Sequence, residues 1–168
     1  MTISMYQASV PRLIAMLRNL DAILAKAQAH AVAKKIDPKV LVGARLFPDM
    51  LPLVKQVQIA TDHAKGAAAR LAGVEVPKFE DTEQSFEELQ ARIAKTITFV
   101  ESFSAGQIDG SEERQISLKV GGQDMTFQGM PYLLGFAMPN FYFHLVTAYN
   151  ILRHNGVEIG KRDYIGAP

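Results

Sequence analysis

The sequence predicts an all-α protein, a four-helix bundle with a small β-hairpin inserted before the last helix. Three observations predict it. Apolar residues recur at spacings of three and four along four long segments, the period of one buried helix face. One short stretch alternates strictly instead and is split by Gly121-Gly122. The last segment carries no Asp, Glu, Lys or Arg from Met125 to Leu152, yet it holds His144 four residues after Asn140.

The bulk composition sets the frame. At 168 residues the chain is most simply one domain, residues 1–168, large enough to bury a core without disulfides. Eighteen basic side chains nearly balance seventeen acidic ones, so the net charge of +1 calls for neither nucleic acid nor an anionic membrane. The absence of cysteine excludes disulfides, thiolate metal sites and cysteine nucleophiles. Met1-Thr-Ile-Ser-Met-Tyr has no basic cluster before an apolar core, so no signal peptide is expected and a cytoplasmic location is the default.

Ser9-Val10-Pro11 opens the first helix, because proline is tolerated where its missing amide would be unpaired anyway. Leu13, Leu17, Leu20 and Leu24 form its buried stripe, and Asp37-Pro38 stops it. A connection containing Pro38 and Gly43 leads to Asp49, the expected N-cap of the second helix, with Pro52 inside the first turn. Leu53, Val57, Ala60, Ala64, Ala67 and Leu71 form the second stripe, with His63 beside it and Gly73 closing the helix. The alanine centre lets a neighbouring helix come close, or leaves a cavity if none does.

Asp81 or Thr82 is the expected cap of the third helix, where Phe86, Leu89, Ile93, Ile97, Val100 and Phe103 face inward. Glu88 and Arg92, four apart, read as a weak pair on a wetter face. The Gly-Gly turn then places Ile116 opposite Phe127, Leu118 opposite Met125 and Lys119 opposite Asp124. The fourth helix runs from about Gly129 to Gly156. Polar residues interrupt its uncharged run too often for a membrane span. It is apolar nearly all round, more than one bundle core needs, and a homodimer interface explains the surplus.

Asn140 and His144 share one face of that helix, about 6 Å apart. Pro139 cannot donate to the Gly135 carbonyl, so a bend and a free carbonyl are expected nearby. His63 joins this cluster if the second and fourth helices are neighbours. Two histidines and a neutral amide form a poor donor set for zinc, which favours at least three good ligands. Core-facing histidines are in any case more often hydrogen-bonded than metal-bound. Arg45 and the Lys161-Arg162-Asp163 tail read as capping or solvated charges. No phosphate-cradling, dinucleotide-binding, nucleophile-elbow or H-E-x-x-H pattern is present.

Several runs carry a family resemblance. They are Ala44-Arg45-Leu46 through Pro48-Asp49-Met50, Gln56-Val57-Gln58-Ile59-Ala60, Ala69-Arg70-Leu71-Ala72-Gly73, Pro139-Asn140-Phe141-Tyr142-Phe143-His144, and Leu152-Arg153-His154-Asn155-Gly156-Val157 through Gly160-Lys161-Arg162-Asp163. With them the chain resembles, over nearly its whole length, a domain-of-unknown-function family of bacteria and fungi in the DinB-like, or YfiT-like, superfamily. The resemblance implies a four-helix bundle, commonly dimeric, with a divalent metal such as zinc or nickel. It implies metal ligands from one histidine of the second helix and two of the fourth, and some members are thiol-dependent transferases or isomerases. His144 matches the second fourth-helix ligand and Asn140 the first, with His63 in the region of the second-helix ligand. Asparagine in place of histidine departs from the metal pattern. The expectation is therefore a polar inter-helix pocket at His144, Asn140 and His63, holding a small molecule or a degenerate metal site at His144 and His63, more simply with no resident metal. The alternative is a non-catalytic dimeric binding or stress-associated module in which the Asn–His pair is structural.

Overall fold

A computed structural model describes residues 2–166; Met1, Ala167 and Pro168 of the expected domain lie outside the described residues. The four rods are α2 (Val10–Lys34), α4 (Leu53–Ala72), α5 (Phe86–Glu101) and a composite last rod. That rod runs from α7 (Gly129–Tyr132) through a π-helical turn (Leu133–Ala137) into α8 (Met138–His154). Short helices α1 (Met5–Ala8), α3 (Pro38–Val42), α6 (Ala105–Ile108) and α9 (Lys161–Ile165) pack around them. α4 lies against both α5 and α8, and α2 against α5, α8 and α9, so the second and fourth rods are neighbours.

The predicted stripes form the core. Leu13, Leu17, Leu20 and Leu24 of α2 are buried, as are Leu53, Val57, Ala60, Ala64, Ala67 and Leu71 of α4 and Phe86, Leu89, Ile93 and Val100 of α5. The alanines let α8 approach α4, where Phe141, Leu145, Ala148 and Leu152 are buried. No described helix is long and apolar enough to cross a membrane. The surplus apolar surface of the last rod lies outside the core: Met130, Leu134, Phe143 and Val146 are exposed.

The hairpin has the register that alternation around Gly121-Gly122 predicts. β1 (Gln115–Val120) and β2 (Gln123–Gln128) pair antiparallel, with Ile116 opposite Phe127, Leu118 opposite Met125 and Lys119 opposite Asp124. Ile116 is buried and Leu118 and Phe127 pack against the core, so one face rests on the bundle.

Helix starts depart from the expected caps. Pro52, not Asp49, stands at the N-cap of α4. Asp37 accepts from the Lys39 amide and starts α3. Ser85, rather than Asp81 or Thr82, caps α5 through a reciprocal capping box with Glu88. Several oxygen-bearing residues precede each helix, and tertiary placement chooses among them. Just before Pro139, where a bend is expected, the rod has a π-helical turn, a wide turn that accommodates a missing amide donor. Arg45 donates to the Pro48 and Met50 carbonyls, and Lys26 pairs with Asp163 at 2.6 Å, tying α9 to α2.

Candidate functional site

One stripe of α4, Gln56–Ile59–His63–Gly66–Arg70, has the same three-four spacing as the core stripe but is largely polar. Phe136, Asn140 and His144, at spacings of four, come to it from the last rod. A cleft of about 530 Å³ opens between them and the hairpin turn. Ile59, His63 and Arg70 line it from α4, Phe136 and Asn140 from the last rod, and Leu118 to Gly121 from the hairpin, with Asp62 at its edge.

The expected trio is brought together, each member in a different way. The His63 and His144 rings lie 5.9 Å apart, nearly parallel, and His63 also meets the edge of Phe136 at 5.9 Å. His144 Nδ1 lies 2.7 Å from Gln56 Oε1, while Gln56 Nε2 donates to the Leu51 carbonyl at 3.0 Å. A carbonyl only accepts, so the Gln56 amide is oriented with its oxygen toward the histidine. Nδ1 therefore carries the proton and Nε2 keeps the lone pair. His144 does not line the cleft itself; its ring reaches it through His63. Asn140 Nδ2 donates to the Phe136 carbonyl at 2.7 Å, so the asparagine tends the backbone of the π-helical turn.

Both imidazoles are neutral at ordinary pH. Burial lowers the His63 pKa to about 4, with the proximity of His144 and Arg70 adding to the effect and Asp62 opposing it. Burial also lowers that of His144.

Arg70 is a part of the site that the sequence reading did not single out. Its Nη1 donates to the Tyr132 hydroxyl at 3.0 Å. Gly66, one turn earlier, clears its path: a Cβ there would stand 2.3 Å from Nη1. Among the described residues Arg70 has no carboxylate partner. The signal available in the sequence was a glycine inside an alanine-rich helix four residues before an arginine. Gln56 was equally legible as a polar residue facing inward.

A metal finds few donors here. His63 and His144 supply two imidazoles, and the Asn140 amide nitrogen is committed to Phe136. Among the described residues no three His, Cys, Asp or Glu side chains gather to hold an ion. Asp62, half exposed, pairs with Lys65 at 2.8 Å and Arg92 at 3.0 Å. This donor set does not fit a tetrahedral metal site.

Arg92 shows what a matched cation looks like in the same molecule. Its side chain is only 2% exposed. Nε donates to Thr61, Nη1 to Glu83 and the Glu80 carbonyl, and Nη2 lies against Asp62 and Asp81. The expected surface pair with Glu88 does not form, because Glu88 is occupied in the α5 cap and Arg92 turns inward. Burial would raise the Glu83 pKa, but hydrogen bonds from Gln58 and Arg92 hold it below the usual carboxylate range. The loop before α5 is drawn onto this group, with Lys65 and Lys95 Nζ 4.1 and 4.0 Å from the Phe79 ring centre.

A four-rod bundle with a hairpin before its last rod, and a polar stripe between the second and fourth, defines a DinB-like domain. A solved structure of a DinB family member protein from Shewanella denitrificans is similar to it, with a TM-score of 0.88 and 43% sequence identity. The likeness covers 97% of this chain and 92% of that one. The family model described as Domain of unknown function (DUF1993) matches residues 5–165, and the chain belongs to that family. No curated protein matches it.

Proposed function

We propose that this DinB-like domain binds a small molecule in the cleft between α4, the hairpin turn and the π-helical turn. The observation that carries this reading is the meeting of neutral His63, the Asn140 amide and the Arg70 guanidinium on one cleft of about 530 Å³ with apolar walls. Polar groups of this kind orient a ligand while the walls bury it. Within that cleft the neutral His63 imidazole is the group that can accept a hydrogen bond or a proton from the ligand. A thermal-shift screen against small carboxylates and thiols tests the reading. A ligand at one hundred times its Kd adds about 2.7 kcal/mol of stability, a rise of several degrees in Tm. The shift is expected to vanish in Ile59→Phe, which fills the cleft; a screen without shifts, or shifts that survive the filling, would overturn the reading.

A second reading has its own support: Asn140 and His144 each have a protein hydrogen-bond partner, as a purely structural pair requires. It predicts that no ligand shifts Tm and that the pair only fixes helix register.

The domain further acts as a homodimer. Met130, Leu134, Phe143 and Val146 are 44%, 56%, 55% and 37% exposed on a rod without charges from Met125 to Leu152. Phe143→Glu is expected to yield a monomer in light scattering; a wild-type protein already monomeric at micromolar concentration would refute this.

A further inference from the structure

We infer that the ligand of the cleft is a small organic carboxylate whose charged end is anchored by Arg70 and whose apolar body rests on Ile59, Leu118 and Phe136. This rests on the reading of that cleft as a binding site and names the class of molecule it takes. Arg70 is a half-buried guanidinium with no carboxylate partner among the described residues, while buried Arg92 meets Asp62, Asp81 and Glu83. A partly desolvated cation without a counter-ion is costly, and an arriving anion removes that cost.

The guanidinium is also held in place. Tyr132 takes Nη1, the missing Gly66 side chain leaves room for it, and Nη2 makes no protein hydrogen bond among the described residues. A fixed planar fork with free donors matches a carboxylate bidentately, which a flexible lysine does not. Lys119, exposed on the hairpin, adds a second cation to the cleft. The one carboxylate at the edge, Asp62, is neutralised by Lys65 and Arg92. The rest of the wall is apolar or neutral, so the remainder of the ligand need carry no charge.

Isothermal titration of the full chain with cinnamate and its neutral isostere cinnamamide tests the inference. Cinnamate is expected to bind at least about tenfold more tightly than the amide, the scale of a charge-assisted hydrogen bond. Arg70→Met removes the charge, and Gly66→Ala keeps it but displaces the guanidinium. Each is expected to weaken cinnamate about tenfold or more and to weaken cinnamamide, whose carbonyl loses only an uncharged acceptor's hydrogen bond, by clearly less, with circular dichroism and Tm confirming the fold. Equal binding of both probes, indifferent to both variants, would refute the anion anchor while the cleft stands as a binding site. No binding of either probe at millimolar concentration would overturn the anchor and the cleft reading together.

Discussion

The two sides of α4 handle arginine in opposite ways. Toward α5, Arg92 is buried, with Thr61, Asp62, Asp81, Glu83 and a backbone carbonyl around its guanidinium. Toward the last rod, Arg70 has one neutral partner, the Tyr132 hydroxyl, and faces a cleft. The first arrangement is closed electrostatically and locks the loop before α5 to the bundle. The second is open, held in position but not neutralised. One face of the helix is thus closed by matched charges, and the other carries the cleft for which binding is proposed.

The largest effect is expected at Arg92. Arg92→Met leaves Glu83 and its neighbours without their cation and is expected to lower stability by about 3–5 kcal/mol, the cost of opening a buried ion pair. Urea denaturation measures it. Arg70→Met strands no carboxylate, only the buried Tyr132 hydroxyl, and is expected to cost about 1–2 kcal/mol; equal costs would erase the distinction.

Acid acts on the cleft side of α4 through His63. The His63 pKa falls from 6.5 in the unfolded chain to about 4 in the folded one. Between those values the unfolded state binds the proton and the folded state does not, so stability declines as pH drops from about 6.5 to 4. The loss is on the order of 2–3 kcal/mol. His63→Gln is expected to flatten that part of the curve, and an unchanged slope would show that His63 does not titrate abnormally.

The polar pair gives a smaller effect. His144→Phe strands the Gln56 oxygen and is expected to cost about 1–3 kcal/mol, with Gln56→Leu added in the double variant restoring most of it. Additive losses would mean that the hydrogen bond contributes nothing. The smallest effect is at Gly66. Alanine there gains about 1 kcal/mol of helix propensity against the displaced Arg70 side chain, so net stability is expected to change by less than about 1 kcal/mol in thermal unfolding.

Periodicity carried the fold because a helix that buries one face must repeat every three or four residues, and a paired strand every two. The Leu13–Leu24 stripe and the Ile116–Phe127 register were legible for that reason. Cap choice was not: Asp49, Asp81 and Thr82 are all chemically suited to start a helix, yet the chain starts its helices after Pro52 and Ser85. His63, Asn140 and His144 could be gathered on paper once α4 and the last rod were assumed neighbours. Gln56, which fixes the His144 tautomer, and Arg70, which makes the cleft cationic, acquire their roles only from partners on the last rod, far away in sequence.

The number of rods, their buried faces, the hairpin register and the polar trio His63, Asn140 and His144 were therefore all legible in the chain of residues alone. Each is encoded locally, by spacing along one element. Which charges meet was decided only in the tertiary structure. Arg92 and Glu88 sit at ideal helical spacing, yet the arginine turns to acids from α4 and the preceding loop. An ionic partner is chosen by distance in space and by the cost of removing both charges from water, and neither quantity is written into sequence separation.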